Sequence, residues 1–399
     1  MLHQTNNNEI NVRGTLTVRS STMSMVRVAP GALIVGSPLP WSVFDADGNL
    51  LLQEGYVIHN ELQLEQLFAR GLFVPRAGDL PAKKEEPVSD VRARNPFSDY
   101  PDLRERVAAC YQAISNKAES APERVMGLAR LVDRTCIEAP DPALALVHLF
   151  SIQPDARDQM LGLAILCHFI ATGVGIDVKS RQQLMAASLV ANLALLPVLE
   201  KLNQARHHLE TPQRSLIEQH PLRSVALLRE AGLQEEKVLT IIAQHHERVD
   251  GQGYPAQLSG NQILLEARIL NLAESYLSLI SKRGYRERTR MSAKDAMLRL
   301  RSQAEANQQP PIHEALMQML TPYPPGILVR LANGEIAVVT ERTSRRSGAI
   351  AQAVIGTKGN RYLGSLKRNS REASAFQIKA EVIDLELQGL DYNQLWGFV

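Results

Sequence analysis

Two adjacent histidines followed by a glycine-rich turn form the stretch of this chain with the clearest chemical potential. His245 and His246 end a predicted helix, and the run Glu-Arg-Val-Asp-Gly-Gln-Gly-Tyr-Pro follows directly. Neutral imidazole is the commonest metal ligand in proteins, and the negative end of a helix dipole favours a cation. Gly251 and Gly253 permit a tight turn, which Pro255 closes with a fixed φ angle. The pattern indicates a metal or ligand site.

Two further residues extend this donor set. His220 precedes Pro221, where we predict the start of a helix, and Glu274 lies in the helix that follows the glycine-rich turn. Metal sites in helix bundles are built in this way, from histidines and carboxylates on separate helices. The sequence therefore predicts that the helices bring these side chains together.

Composition and charge are those of an ordinary globular protein. The chain has 399 residues, of which 45% are hydrophobic and 22% charged, a size typical of two or three domains. Its net charge of +2 gives no general attraction to nucleic acid or to an anionic membrane. No apolar run approaches the roughly 20 residues that span a bilayer. We expect a cytoplasmic protein whose three cysteines are buried and reduced.

Changes in residue pattern divide the chain into five segments. The first three are a polar, disordered arm (1–24), a small α+β domain (25–75), and a linker rich in Pro and charged residues (76–100). The last two are a domain with the apolar spacing of helices (101–320) and a β-rich extension that opens with an Asn-Gly hairpin turn (321–399). The predicted fold class is mainly α, a multi-helix bundle flanked by a small N-terminal α+β unit and a C-terminal β-rich unit.

One segment has the composition of a fully buried helix. Residues 185–199 are apolar almost all round, and Asn192 is their only strongly polar side chain. A helix that is apolar on every face belongs inside a protein core. We therefore predict that this segment forms the central helix of the bundle.

These motifs resemble the HD-GYP domain, the helical branch of the HD metal-dependent phosphohydrolases that cleaves cyclic di-GMP. The resemblance covers about residues 155–305. It includes the run from His245 to Pro255, the Glu-Gln-His-Pro run at His220, the Ala-Arg-Ile-Leu run before Glu274, and an Arg-Gly-Tyr-Arg sequence. The resemblance implies an HD-GYP-like helical bundle, cyclic di-GMP as a ligand, and GGDEF-type cyclases as protein partners.

The resemblance also assigns residues to the dinucleotide. Arg283, Tyr285 and Arg286 match family residues that face cyclic di-GMP, and Tyr254 belongs to the same expected binding surface. Arginine makes bidentate contacts to phosphate and stacks on guanine. The alternative is that these arginines pair with carboxylates on the protein surface.

The chain departs from the family at the residues that give it its name. The family carries Leu-Leu-His-Asp-Ile-Gly-Lys on the central helix, where this chain has Ala191 for the His, Asn192 for the Asp and Leu195 for the Lys. One helix earlier, Gln159 falls at or near the position of another metal-binding His, with Asp155 one turn before it. In the resembled mechanism, a cluster of two or three metal ions clamps the phosphodiester and activates water. The substitutions remove ligands from that cluster.

The remaining donors define a residual site. The resemblance implies that a single divalent Fe, Mn or Zn ion would be held by His220, His245, His246, Glu274 and Asp155. Imidazole and carboxylate donors suit all three metals.

Three functions are compatible with the sequence. The favoured one is a degenerate HD-GYP protein that does not hydrolyse cyclic di-GMP but binds it, or binds signalling partners. The first alternative is an active metal-dependent cyclic di-GMP phosphodiesterase with an atypical metal set. The second is a ligand-free helical interaction scaffold. Metal content, dinucleotide binding and turnover distinguish the three.

Overall fold

The chain divides into two units, one within residues 1–90 and the other within residues 91–398. The computed structural model describes residues 94–398 except 153–154, 199–210, 282–289, 307–309, 344–347, 384, 386 and 388, and, nearer the N-terminus, residues 25–28, 33, 35, 39, 41–47, 50–52, 56–58, 61–70 and 72–75. The predicted N-terminal arm and most of the predicted linker lie outside the described residues.

The described residues of the N-terminal unit form a small antiparallel sheet with one helix. Its elements are β1 (Met25–Arg27), β2 (Val43–Phe44), β3 (Leu50–Leu52), α1 (Glu61–Arg70) and β4 (Phe73–Pro75). The strands lie in the order β1-β4-β2-β3. Fully buried aliphatic side chains on the strands and connections form its core. The predicted α+β character of this region is confirmed.

The second unit is mainly helical, as predicted. Its helices are α2 (Pro96–Ser115), α3 (Ala121–Glu138), α4 (Pro140–Leu149), α5 (Ala156–Gly173), α6 (Val178–Val190), α7 (Thr211–Glu230), α8 (Glu236–Gln244), α9 (Leu265–Ile280), α10 (Ala293–Ala306) and α11 (Pro310–Leu320). Helix α5 lies at the centre, because it packs against α6, α9 and α11 and every residue from Gln159 to Ala171 is buried.

The prediction of a central helix over residues 185–199 is wrong. Helix α6 ends at Val190, Ala191 and Asn192 form a turn, and a short 3-10 helix follows. Side chains from other helices form hydrogen bonds with the backbone groups at this point. The Tyr111 hydroxyl donates to the Leu189 carbonyl at 3.0 Å, and the Ala194 amide donates to the Ser224 hydroxyl at 3.1 Å. These long-range bonds replace the helical ladder.

A buried ionic network joins α3, α5 and α6. Asp133 accepts hydrogen bonds from His168 Nδ1 at 2.7 Å, Arg181 Nε at 2.7 Å and Gln182 Nε2 at 3.1 Å. Burial opposes ionisation of this carboxyl, but these bonds outweigh it and hold the pKa of Asp133 well below its usual range. The network ties the helix before the Ala191 turn to the middle of the bundle.

The C-terminal region forms an antiparallel sheet in the same compact unit. Its strands are β5 (Leu328–Leu331), β6 (Ile336–Arg342), β7 (Ala349–Ile355), β8 (Arg361–Asn369) and β9 (Ile378–Glu381), in the order β8-β7-β6-β5-β9, with a short helix α12 (Tyr392–Trp396) after them. The β5–β6 hairpin turns at Gly334, whose φ is +92°. The predicted Asn-Gly hairpin is confirmed.

The sheet packs closely on helix α4. At Gly326 an added Cβ atom would lie 2.6 Å from the Ala145 carbonyl oxygen, so only glycine permits this approach. Arg342 on β6 forms an ion pair with Asp141 on α4, and apolar side chains of β5 to β7 belong to the same core as the helices. Among the described residues, no helix is long and apolar enough to cross a membrane.

Candidate metal centre

Three histidines from two helices meet inside the bundle. His220 lies on α7, His245 and His246 follow the last residue of α8, and one ring nitrogen of each lies within 4.8 Å of the others. His220 and His245 are fully buried, and the side chain of His246 is 19% exposed. We call these residues the three-histidine cluster. Within the described part of the chain, it is the group of side chains that has the spacing of metal ligands.

The end of α8 places two members of the cluster. Its buried face consists of Val238, Leu239, Ile241 and Ile242. Asn271 on α9 donates to the His245 carbonyl at 2.8 Å, which satisfies a carbonyl left without a partner at the helix end. The prediction that the two histidines end a helix is confirmed.

His220 lies in the middle of a helix, so the prediction that it stands near a helix start is wrong. Helix α7 extends from Thr211 to Glu230 and contains Pro221 in its interior. Proline before an apolar run usually marks the first helical turn. Here the helix continues through it, and α7 packs against α8.

Backbone carbonyls determine which nitrogen of two imidazoles carries the proton. The Nδ1 atoms of His220 and His245 lie 2.5 Å from the Ile217 carbonyl and 2.6 Å from the Ile242 carbonyl. A carbonyl can only accept a hydrogen bond, so each Nδ1 is the protonated nitrogen. The Nε2 lone pairs of the two rings therefore face each other across 3.2 Å.

Burial keeps the three-histidine cluster neutral. Desolvation lowers the pKa of His220 to about 3, with a further contribution from His245. Desolvation also lowers the pKa of His245, and it holds the pKa of His246 well below the ordinary value. Neutral imidazoles whose lone pairs converge repel each other, and a cation between them removes that repulsion.

Glu274 on α9 adds a carboxylate to the cluster. Its Oε2 lies 3.6 Å from His246 Nε2 and 4.0 Å from His245 Nε2. Among the described residues this buried oxygen has no hydrogen-bond partner, although a buried carboxylate oxygen normally has one. The other oxygen, Oε1, accepts a hydrogen bond from Asn192 Nδ2 at 3.4 Å.

The donor set fits one divalent metal ion. Two nitrogens that each lie about 2.1 Å from a tetrahedral ion are about 3.4 Å apart, and the Nε2 atoms of His220 and His245 are 3.2 Å apart. Three imidazoles and one carboxylate complete a four-ligand set of the kind that binds Zn or Fe. The unpartnered Glu274 Oε2 is the oxygen that such an ion would take up.

The predicted degenerate positions form an apolar wall and a single amide. Ala191 is fully buried, Leu195 is 7% exposed, and Asn192 is also 7% exposed. Neither aliphatic side chain has an atom that binds a metal, and the Asn192 amide nitrogen faces Glu274. Gln159 is buried in α5.

Asp155 is not a member of the three-histidine cluster. It caps α5 by accepting hydrogen bonds from the backbone amides of Arg157 and Asp158. Its Oδ2 also forms ion pairs with Arg104 at 2.5 Å and Arg157 at 3.0 Å. These bonds engage both carboxylate oxygens, so the structure assigns Asp155 to helix capping.

Glu247 organises the glycine-rich turn, a role that sequence reasoning missed. Its side chain is 3% exposed, and its two oxygens accept from the backbone amides of Ala256 at 2.6 Å and Leu258 at 2.9 Å. A Cβ on Gly253 would lie 2.3 Å from the Arg248 amide nitrogen, so the turn requires glycine there. A carboxylate just before a glycine-rich turn is the signal that would have indicated this bracing role.

The predicted dinucleotide residues are only partly described. The ring of Tyr254 stacks on His246 with centroids 4.7 Å apart and planes 26° apart, so this tyrosine borders the cluster. Arg283, Tyr285 and Arg286 lie outside the described residues.

Comparison with known proteins identifies the protein family to which this site belongs. The HD domain family model matches residues 113–308, a span that contains the three-histidine cluster and Glu274. The chain is thus an HD domain protein. A cyclic di-GMP phosphodiesterase of Pseudomonas aeruginosa is 26% identical over 216 residues, which are 54% of this chain and 51% of that protein. The chain belongs to the HD-GYP family within the HD class.

The chain is also similar to two other proteins. The cyclic di-GMP phosphodiesterase PdeB of Borreliella burgdorferi is 21% identical over 178 residues, covering 45% of this chain and 46% of the relative. A solved HDG"Y"P protein from Bdellovibrio bacteriovorus is 14% identical with a TM-score of 0.46, covering 73% of this chain and 98% of that chain. The chain spans about half the length of the curated relatives it matches.

Proposed function

We propose that this protein acts in cyclic di-GMP signalling by binding the dinucleotide without hydrolysing it. One observation carries the proposal, which is the contrast between the two sides of the site. The three-histidine cluster and Glu274 offer donors for one ion. Opposite Glu274, the turn after α6 offers only apolar side chains and the amide of Asn192.

The chemistry of Asn192 supports a binding role. Phosphodiester hydrolysis at a metal cluster depends on ligands that bring charge and bridge the ions. The Asn192 amide is neutral, and its nitrogen donates to Glu274 Oε1. The missing lysine at Leu195 removes a positive charge that would stabilise phosphate in the transition state.

The residues that remain are suited to holding an anionic ligand. His220, His245, His246 and Glu274 would hold a divalent ion, and the family resemblance implies Fe, Mn or Zn. When bound, such an ion supplies a positive charge that anchors a phosphate oxygen. The ring of Tyr254 lies against His246, next to the position that the phosphate would occupy. The proteins named as cyclic di-GMP phosphodiesterases among the relatives support this dinucleotide as the ligand.

Three measurements on the purified full chain test the proposal. Elemental analysis counts Fe, Mn and Zn per chain, calorimetric titration measures cyclic di-GMP binding, and chromatography follows conversion of cyclic di-GMP to linear pGpG or GMP. We expect at most one ion per chain, saturable binding, and no turnover. The variant His246→Ala should lose the ion, whereas His313→Ala on α11 is a matched control for the loss of an imidazole.

The alternative functions correspond to other outcomes. Two or more ions per chain, with turnover that His246→Ala abolishes, would replace the proposal by an active phosphodiesterase. A protein that neither binds cyclic di-GMP nor turns it over would be a helical interaction scaffold. A GGDEF-type cyclase remains the proposed protein partner, and co-purification of the two proteins tests it.

A further inference from the structure

We infer that Pro221 is a positioning residue that determines which nitrogen of His220 is free to bind a metal ion. The inference rests on the proposed function only where zinc affinity is measured. Its structural part concerns the metal-free protein.

Pro221 cannot make one of the backbone hydrogen bonds of a regular helix. In a regular helix, the amide of residue 221 would donate to the carbonyl of Ile217, four residues earlier. Proline has no amide hydrogen, and its ring crowds that carbonyl. The Ile217 carbonyl is therefore left without its usual donor in the middle of α7.

The side chain of His220 replaces the missing amide. His220 Nδ1 donates to the Ile217 carbonyl at 2.5 Å. A net hydrogen bond of about 1 kcal/mol corresponds to about a fivefold preference for this tautomer. Nδ1 is thereby held protonated, and the unprotonated Nε2 points at His245 Nε2, 3.2 Å away.

His245 shows the same arrangement without a proline. Its Nδ1 donates to the carbonyl of Ile242, also three residues earlier. The Ile242 carbonyl lacks its usual donor because α8 ends at Gln244, and terminal carbonyls have no intrahelical partner. Each histidine therefore uses a carbonyl three positions back whose helical donor is missing. At His245 the helix end frees that carbonyl, and at His220 the proline does.

Pro221→Ala is the direct test. The new amide competes with His220 for the Ile217 carbonyl, so the Nε2-protonated tautomer should gain population. Zinc affinity should fall on the order of tenfold, the usual effect of losing a group that orients a metal ligand. The matched control is Pro101→Ala, which makes the same change inside α2, where Tyr100 and no histidine precedes the proline.

The tautomer is read by nitrogen NMR of histidine-labelled, metal-free protein, with His220 assigned by the signals that His220→Gln removes. Zinc affinity is measured by competition with a chelating dye. We expect Pro221→Ala to change both readouts and Pro101→Ala to change neither. Pro221→Ser introduces the same backbone amide and serves if the alanine variant does not fold.

The outcomes separate the inference from the proposed function. An Nε2-protonated His220 in the unaltered protein, or unchanged tautomer populations in the Pro221 variants, would overturn the inference. If the unaltered protein binds no zinc but Pro221→Ala still shifts the tautomer, the inference stands and the metal role fails. If zinc binds and the variants keep both the tautomer and the affinity, the metal role stands and the inference fails.

Discussion

Replacing Asn192 by aspartate places a second carboxylate against Glu274. The Asn192 amide and Glu274 Oε1 are 3.4 Å apart, and their side chains are mostly shielded from solvent. Two unit charges at 3.4 Å repel by about 5 kcal/mol at an effective dielectric constant of about 20. Proton uptake limits the loss, because protonating a carboxyl at pH 7 costs about 4 kcal/mol. We expect metal-free Asn192→Asp to lose about 2 to 4 kcal/mol of unfolding free energy.

The loss should depend on pH in a defined direction. Repulsion raises the pKa of the carboxyl pair in the folded state above its unfolded value. The deficit is therefore complete at high pH and shrinks as the pH falls through the raised pKa. Urea unfolding of the unaltered protein and of Asn192→Asp, with a chelator present, measures this stability deficit at about pH 8 and at about pH 5.5. These pH values lie on the two sides of a carboxyl pKa that a like charge has raised. We expect the deficit to fall by about half or more at the lower pH.

Asn369→Asp is the control. Asn369 Nδ2 donates to Glu372 Oε1 at 2.8 Å, but this pair lies at the surface. Solvent screens exposed charge pairs to about 1 kcal/mol or less, so this variant should lose little stability. Equal losses in the two variants, or an Asn192→Asp deficit that is the same at both pH values, would refute the contact between Asn192 and Glu274.

Three other substitutions test separate parts of the site and its support. In urea titrations, zinc at about 100 times its Kd should raise the unfolding free energy by about 2.7 kcal/mol. His246→Ala should abolish this stabilisation, and an unchanged stabilisation in that variant would mean that the ion binds elsewhere. Glu247→Gln should lose about 1.5 to 3 kcal/mol and speed hydrogen exchange in the turn it braces, and unchanged exchange would contradict that role. Asp133→Asn should lose about 3 to 5 kcal/mol at pH 7, because Arg181 stays buried without its carboxylate. Since the folded-state pKa of Asp133 is lowered, this difference should shrink as the pH falls below the ordinary carboxyl range, and a constant difference would exclude the linkage.

Local sequence was sufficient where the structure depends on local chemistry. The helix end at His245 and the hairpin at Gly334 follow from residues within a few positions of each other, and both are confirmed. The mainly α class follows from apolar spacing over many turns. These features need no knowledge of distant residues.

The predictions that were wrong concern features that also depend on residues far away in the sequence. The end of α6 depends on Tyr111 and Ser224, which lie on other helices, so an apolar pattern alone predicts too long a helix. Pro221 resembles a helix start, but α7 continues through it and packs against α8. Asp155 pairs both with the nearby Arg157 and with Arg104, 51 residues away, and a lone sequence does not distinguish a capping carboxylate from a metal ligand.

The backbone contact at Gly326 constrains the ways in which this protein can be rearranged in evolution. A Cβ atom at Gly326, just before β5, would lie 2.6 Å from the carbonyl oxygen of Ala145, so a single methyl group at this position would push the backbone away from α4. A gene fusion or recombination breakpoint near residue 320, where the sequence pattern changes from helical to β-like, would divide a shared core. A fragment that ends at α11 would therefore expose the helical surface that the strands cover.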